Sequence, residues 1–274
     1  MMNRSANKGL RAVAVVLAVC ALSALAAHAK GYMTPGFRAK KTRPMRVVVL
    51  PPHAEFTKEK VVMTDEMVAE ARALEDEAAK ALAAQLSEKG YKARVLSHAE
   101  IQKKPGLAQI VKRVNDRYNE ERSKIINGPK QVRKRRYKVG SDAVQLCAIL
   151  KTDGIVFARV FANGVSGGKA TMSAVFNLGI PRARSSAYMS TAVVEGRQGF
   201  VEGYFYAFEA TSMGQLTKKP AKIMGQLAGK ALSKYPLASE VETDAAAAEA
   251  AEDAEPDDGG DPLREFEKLT GSSK

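Results

Sequence analysis

The residues best placed to do chemistry are three acids late in the chain, Glu195, Glu202 and Glu209. Two carboxyl groups held about 5–9 Å apart across a sugar can cleave a glycosidic bond. In a β-rich stretch, however, isolated acids ordinarily face solvent on alternate positions, and that is the expectation here. A nucleophilic triad would have to draw on His53 or His98, which sit in separate loops, and no G-x-S-x-G elbow exists. Two histidines and one thiol after residue 29 are too few for a metal site, so neither metal nor cofactor is expected. Gly164-Val165-Ser166-Gly167-Gly168-Lys169 superficially matches a phosphate-binding loop. It is one residue short, and Ala170 stands where a hydroxyl must hold magnesium, so it reads as a hairpin loop. No catalytic residue is assigned.

A second kind of chemistry is electrostatic. Lys130, Arg133, Lys134, Arg135, Arg136 and Lys138 fall within nine residues. Such a run can be a plain solvated loop, or it can contact an anionic lipid or wall polymer, each cation near a membrane contributing about 1 kcal/mol. The formal net charge is +13, yet residues 238–274 hold 12 acids against 3 bases, a charge of −9. Residues 30–237 therefore carry +19. A body this basic attracts polyanions, and the acidic tail can fold back to screen it.

The compartment narrows the partners. Arg4, Lys8 and Arg11 precede the apolar run Ala12 to Ala27, and Ala27-His28-Ala29 offers a signal peptidase its small residues, with Ala27 and Ala29 flanking His28. The run of 16 residues is shorter than the 20 or so that a membrane span needs. Leu17-Ala18-Val19-Cys20 loosely matches a lipidation site, but Val19 is bulky and the apolar run continues past Cys20, so no lipid anchor is expected there. Residues 1–29 thus read as a signal peptide, and the remainder as periplasmic or secreted. Export argues against nucleic acid as a partner. Cys147, the one cysteine left, lies in the apolar run Val144 to Leu150 and reads as a core residue.

The elements that must hold these residues follow from periodicity. Residues 30–44, rich in Gly, Pro, Lys and Arg, read as a flexible basic lead-in. Met45 to Leu50 is apolar on both sides and stops at Pro51-Pro52, a central strand. Thr64 or Asp65 starts a helix whose stripe is Met67, Ala71, Leu74, Ala78, Leu82 and Leu86, ended by Lys89-Gly90. Tyr91 to Leu96 is a second strand, Ser97 and Glu100 form a capping box, and Leu107, Ile110, Val111, Val114 and Tyr118 make another stripe. After the basic loop, Ser141 caps a helix from Asp142 to Lys151. Strands at 155–162, 170–178, 187–195 and 200–210 follow, then a helix from Ala221 to Lys234. The fold class is α/β (α+β): a mixed sheet with a β-α-β-α opening, a run of antiparallel strands and a C-terminal helix. The single domain spans 45–237, with a disordered acidic tail over 238–274.

The strand closing in Val49-Leu50-Pro51-Pro52, the Gly90-Tyr91 turn and the Val139-Gly140-Ser141-Asp142-Ala143-Val144 segment resemble bacterial envelope proteins. The group is the one shared by the curli-secretion lipoprotein, the TolB N-terminal domain and the lipoprotein activators of penicillin-binding proteins. Two departures stand out: those proteins are mostly lipidated, and Leu107 to Lys138 looks like an insertion. The resemblance implies a non-enzymatic envelope accessory or assembly factor, binding an envelope protein or an anionic lipid or wall polymer. The alternative is an envelope enzyme that acts on glycan through paired carboxylates.

Overall fold

Val47, Val48, Val49 and Leu50 lack a polar side because both of their sides are covered: they lie inside a mixed sheet, one strand from its edge. The computed structural model describes residues 29–59, 64–165 and 185–240. Residues 1–28 of the export segment, with Cys20 and Ala27, lie outside the described residues. So do Ser166 to Lys169, the expected strand 170–178 and the tail beyond Glu240. Strand β2 (Arg46–Val49) runs parallel to β5 (Lys92–Val95) on one side and to the start of β6 (Gly154–Val165) on the other. From β6 the sheet continues antiparallel through β7 (Ser185–Glu195) and β8 (Val201–Thr211) to β1 (Lys30–Met33). β3 (His53–Glu59) pairs with the second half of β6, and β4 (Thr64–Glu66) pairs with β3.

Helices cover both faces. α2 (Val68–Glu88) and α7 (Pro220–Ala231) bury Leu74, Leu82, Leu86, Ile223, Met224 and Leu227 against Val156, Val160 and Phe205. α4 (Pro105–Asn127) and α5 (Ser141–Leu150) bury Val111, Val114, Tyr118 and Leu146 against Ile155, Phe157 and Tyr204. Along β6 the two sets alternate with the period-2 pleat, which sends Val156, Ala158 and Val160 to one core and Ile155 and Phe157 to the other. Short helices α1 (Pro35–Arg38), α3 (His98–Gln102) and α6 (Met213–Lys218) complete the chain. Among the described residues no helix is long and apolar enough to cross a membrane.

Several expectations need correction. Residues 30–44 are not a flexible lead-in. β1 pairs with β8, Tyr32 opposite Tyr204, and Phe37 is fully buried with its ring edge-to-face on Tyr235. Arg43 donates to the carbonyls of Phe37, Arg38, Leu237 and Glu240, tying this segment to the far end of the chain. The Ala238 N–H also donates to the Lys89 carbonyl, so the packed unit extends from 30 to 240, past the expected boundaries at 45 and 237. Thr64 and Asp65 do not start a helix: they belong to β4, and α2 begins at Val68 without a side-chain cap. Gly140, not Ser141, is the residue before α5. His53 stands on a strand and His98 opens a helix, where loops were expected, and Gly164, expected in a hairpin loop, lies within β6. The capping box at Ser97 and Glu100 forms with both of its bonds. Cys147 is buried beside Gly196, and burial, then the charges of Glu195 and Asp153, push its thiol up to about 12.

Candidate functional site

The basic segment is built against the end of the β7–β8 hairpin. After α4 the chain makes a 3-10 helix, Pro129–Lys134, and Arg135 closes it in the left-handed conformation at φ 51°. Tyr137 closes the loop from below, its hydroxyl donating to the Gly128 carbonyl at 2.7 Å. The next residues lie along the hairpin: Val201 N–H donates to the Tyr137 carbonyl at 3.0 Å and Val139 N–H to the Gly199 carbonyl at 2.8 Å.

The six cations are therefore not equivalent. Arg133 is buried with its guanidinium 5.7 Å from the centre of the Tyr32 ring. Lys130 is half-buried and engaged with neighbouring groups. Arg135 turns inward: its Nη2 lies 2.8 Å from Glu202 Oε1 and 3.8 Å from Glu195 Oε1. The Glu202 contact is one of charge, because Oε1 gains no well-aligned hydrogen bond from it. Lys134, Arg136 and Lys138 are exposed. Lys138 and Arg135 share the Phe200 ring, at 4.8 and 4.5 Å from its centre.

Glu202 is fully buried, which ordinarily costs several kcal/mol for a lone carboxylate. Its charge is offset by Arg135 and by the hydroxyls of Thr34 and Thr42, which donate to Oε2. Glu195, 4% exposed, accepts the backbone N–H groups of Arg197, Gln198 and Phe200 and so holds the hairpin turn. Glu209 pairs with Lys230 of α7. Glu195 and Glu202 thus correct the expectation of solvent-facing acids: the fold brings them together around one guanidinium. As a glycan-cleaving pair they are poorly disposed, since Arg135 contacts both carboxylates and three backbone N–H groups hold Glu195 in the hairpin turn.

Beside this arrangement opens a cleft of about 410 Å³, lined by Lys41, Thr42, Arg135, Asp153, Glu195 and Arg197 among others. Lys41 and Arg197 are exposed there without an acidic partner among the described residues. Asp153 also lines the cleft; Arg46 grips it through Nη2 at 2.7 Å, and that hydrogen bond holds the Asp153 carboxyl below its usual range. His53 and His98 lie on β3 and α3, apart from the cleft. Among the described residues no three His, Cys, Asp or Glu side chains group as metal ligands.

Sequence reasoning missed Thr34, Thr42 and the inward turn of Arg135, all set by contacts more than 60 residues away along the chain. It also missed Arg122, whose position was legible. It stands four residues after Tyr118, where the apolar stripe of α4 continues.

No protein-family model matches the chain, and no curated protein matches it. Among solved structures it is similar to a PelC dodecamer from Paraburkholderia phytofirmans, at 8% identity with a TM-score of 0.38, covering 76% of this chain and 95% of that one. It is also similar to lipoprotein GNA1162 from Neisseria meningitidis, at 14% identity with a TM-score of 0.29, covering 67% of this chain and 96% of that one. At these values the likenesses transfer neither function nor partner.

Proposed function

We propose that the chain is an exported, non-enzymatic accessory or assembly protein of the cell envelope, and that its basic loop contacts an anionic lipid or wall polymer. One observation carries the binding reading. From Arg133 to Lys138 the segment alternates, with Arg133, Arg135 and Tyr137 turned toward the body and Lys134, Arg136 and Lys138 turned to solvent. The inward residues hold the loop, so three cations are presented at fixed places on a body of charge +19. A fixed array loses less side-chain and loop entropy on binding than a floppy one.

Reversing Lys134, Arg136 and Lys138 to Glu tests this with Arg133 and Arg135 kept in place; because Lys138 shares the Phe200 ring with Arg135, the variant's melting temperature is compared with wild type alongside. Three cations at about 1 kcal/mol each correspond to roughly 100-fold in affinity. We expect the wild-type mature chain to sediment with phosphatidylglycerol vesicles in a salt-dependent way, and the variant to lose at least that factor. Equal binding by both, insensitive to salt, contradicts the proposal. The glycan-cleaving alternative is less well supported, because Glu195 and Glu202 are committed to the hairpin turn and the Arg135 contact.

A further inference from the structure

On the face of the sheet covered by α4, one turn of helix sits over one stretch of β6. Tyr118 stacks on Phe157, with ring centres 4.1 Å apart. One turn later the Arg122 guanidinium lies 5.4 Å from the centre of the Phe161 ring. Between the two aromatic residues β6 presents Arg159, whose Nη2 donates to Asn119 Oδ1 at 2.8 Å and whose Nη1 reaches Glu55 at 3.4 Å. The charge of Arg122 is felt at Arg159, at Tyr118 and at Tyr188, whose hydroxyl lies 3.3 Å from that of Tyr204. Two guanidinium groups and a set of phenols therefore converge on one small region.

Of the two cations, Arg159 has acids near it, Glu55 in contact and Glu75 within reach of its charge, while Arg122 pairs with no acid among the described residues. Glu55 is the one described acid that touches the pair. It touches Arg159 alone, is half-exposed, and is shared with His53 at 3.5 Å. The acid next to Arg122 in sequence, Glu121, is bonded to Lys124. Arg122 Nε and Nη2 are buried without an acceptor among the described residues, and so is the hydroxyl of Tyr118, a residue only 2% exposed. Buried donors of this kind call for water or an ion. Water would satisfy the N–H groups, but it would leave Arg122 without a counter-charge among the described residues.

The donors left over also have a shape. Nε–H and Nη2–H are parallel and form the side-on edge with which a guanidinium grips two oxygens of one carboxylate or phosphate. The same edge of Arg46 grips Asp153 elsewhere in this molecule. At Arg122 that edge meets no acceptor among the described residues, with the Tyr118 hydroxyl one helical turn away and Arg159 beside it.

We propose that Arg122, Arg159 and Tyr118 form a binding site for an oxyanion group, a carboxylate or phosphate carried by a small ligand, walled by Phe157 and Phe161. The site is separate from the loop cations Lys134, Arg136 and Lys138, and it stands or falls independently of the envelope reading. Arg159 is 18% exposed and Asn119 is exposed, so the region reaches solvent along this rim.

Calorimetric titration of the full mature chain with sodium phosphate and with sodium acetate, at ionic strength held constant with chloride, tests the site. We expect at least one of the two to bind, and the tighter of them identifies the chemistry of the natural group. Arg122→Met keeps the packing of the stem and removes the fork, and should weaken binding by at least about tenfold. Tyr118→Phe keeps the stack on Phe157 and should weaken it a few-fold. The Lys134, Arg136 and Lys138 reversal should leave it unchanged. Failure of both anions to bind overturns the proposal, as does wild-type affinity in Arg122→Met or loss of binding in the loop reversal. Should Arg122→Met fail to fold, Tyr118→Phe decides: affinity equal to wild type overturns the site.

Discussion

Glu202→Ala should lower the stability of the protein by about 3 kcal/mol and its melting temperature by roughly 6–12 °C. The carboxylate is fully buried, and three groups from three parts of the chain converge on it: Thr34 after β1, Thr42 after α1, and Arg135 at the end of the 3-10 helix. Removing it leaves two hydroxyls without their acceptor and deprives Arg135 of its nearest counter-charge. The Arg135 side chain is 37% exposed, and water partly compensates it, which keeps the cost at the lower end for a broken buried pair. Glu202→Gln, which still accepts from the threonines, should cost about half as much. In the Glu202→Ala background, Arg135→Met should add little, because the two residues act as a unit. Urea unfolding checks all three variants. A loss below about 0.5 kcal/mol in Glu202→Ala would show that Arg135 is held by something else.

Gly199→Ala should be comparably costly, by a different route. Gly199 sits at φ +77°, where an L side chain is strained, and an added Cβ would lie 2.4 Å from the Gly140 carbonyl oxygen and 2.9 Å from its nitrogen. Both clashing atoms are backbone, so no rotamer change relieves them. The Gly199 carbonyl also accepts from Val139 and Gly140, and those bonds join the basic segment to the hairpin. We expect a loss of about 3 kcal/mol and faster tryptic cleavage between Lys134 and Lys138 in the native state. Wild-type stability together with wild-type protection would mean that the loop does not depend on this contact.

These two variants mark where the sequence was readable and where it was not. The run Val47 to Leu50 declares a central strand because both faces need cover, and the stripe from Ala71 to Leu86 declares one covering helix; each signal is local. The Ser97 and Glu100 capping box is local as well. β1 was not legible: four residues containing a glycine become a strand only because β8, some 170 residues later, supplies the pairing. Thr64 and Asp65 suit a helix start by type, but β3 offers them a ladder first. β3 did leave a signal, since Ala54 and Phe56 alternate with polar neighbours and both are buried. Glu202 reads as a surface acid until its partners, 67 to 168 residues distant, fold around it. The basic cluster was visible as composition, while the split into inward and outward cations required the hairpin.

The account depends most on the compartment, because an exported chain meets envelope components and a retained one does not. Lys30, the first residue after the expected cleavage, opens β1 opposite Tyr206. Fractionation of the native source followed by mass spectrometry of the intact protein tests this directly. The account predicts a chain that starts at Lys30 and is recovered from the envelope or periplasmic fraction. An intact chain starting at Met1 in the soluble cytosolic fraction would contradict it, and the exposed cations of the loop would then face nucleic acid instead.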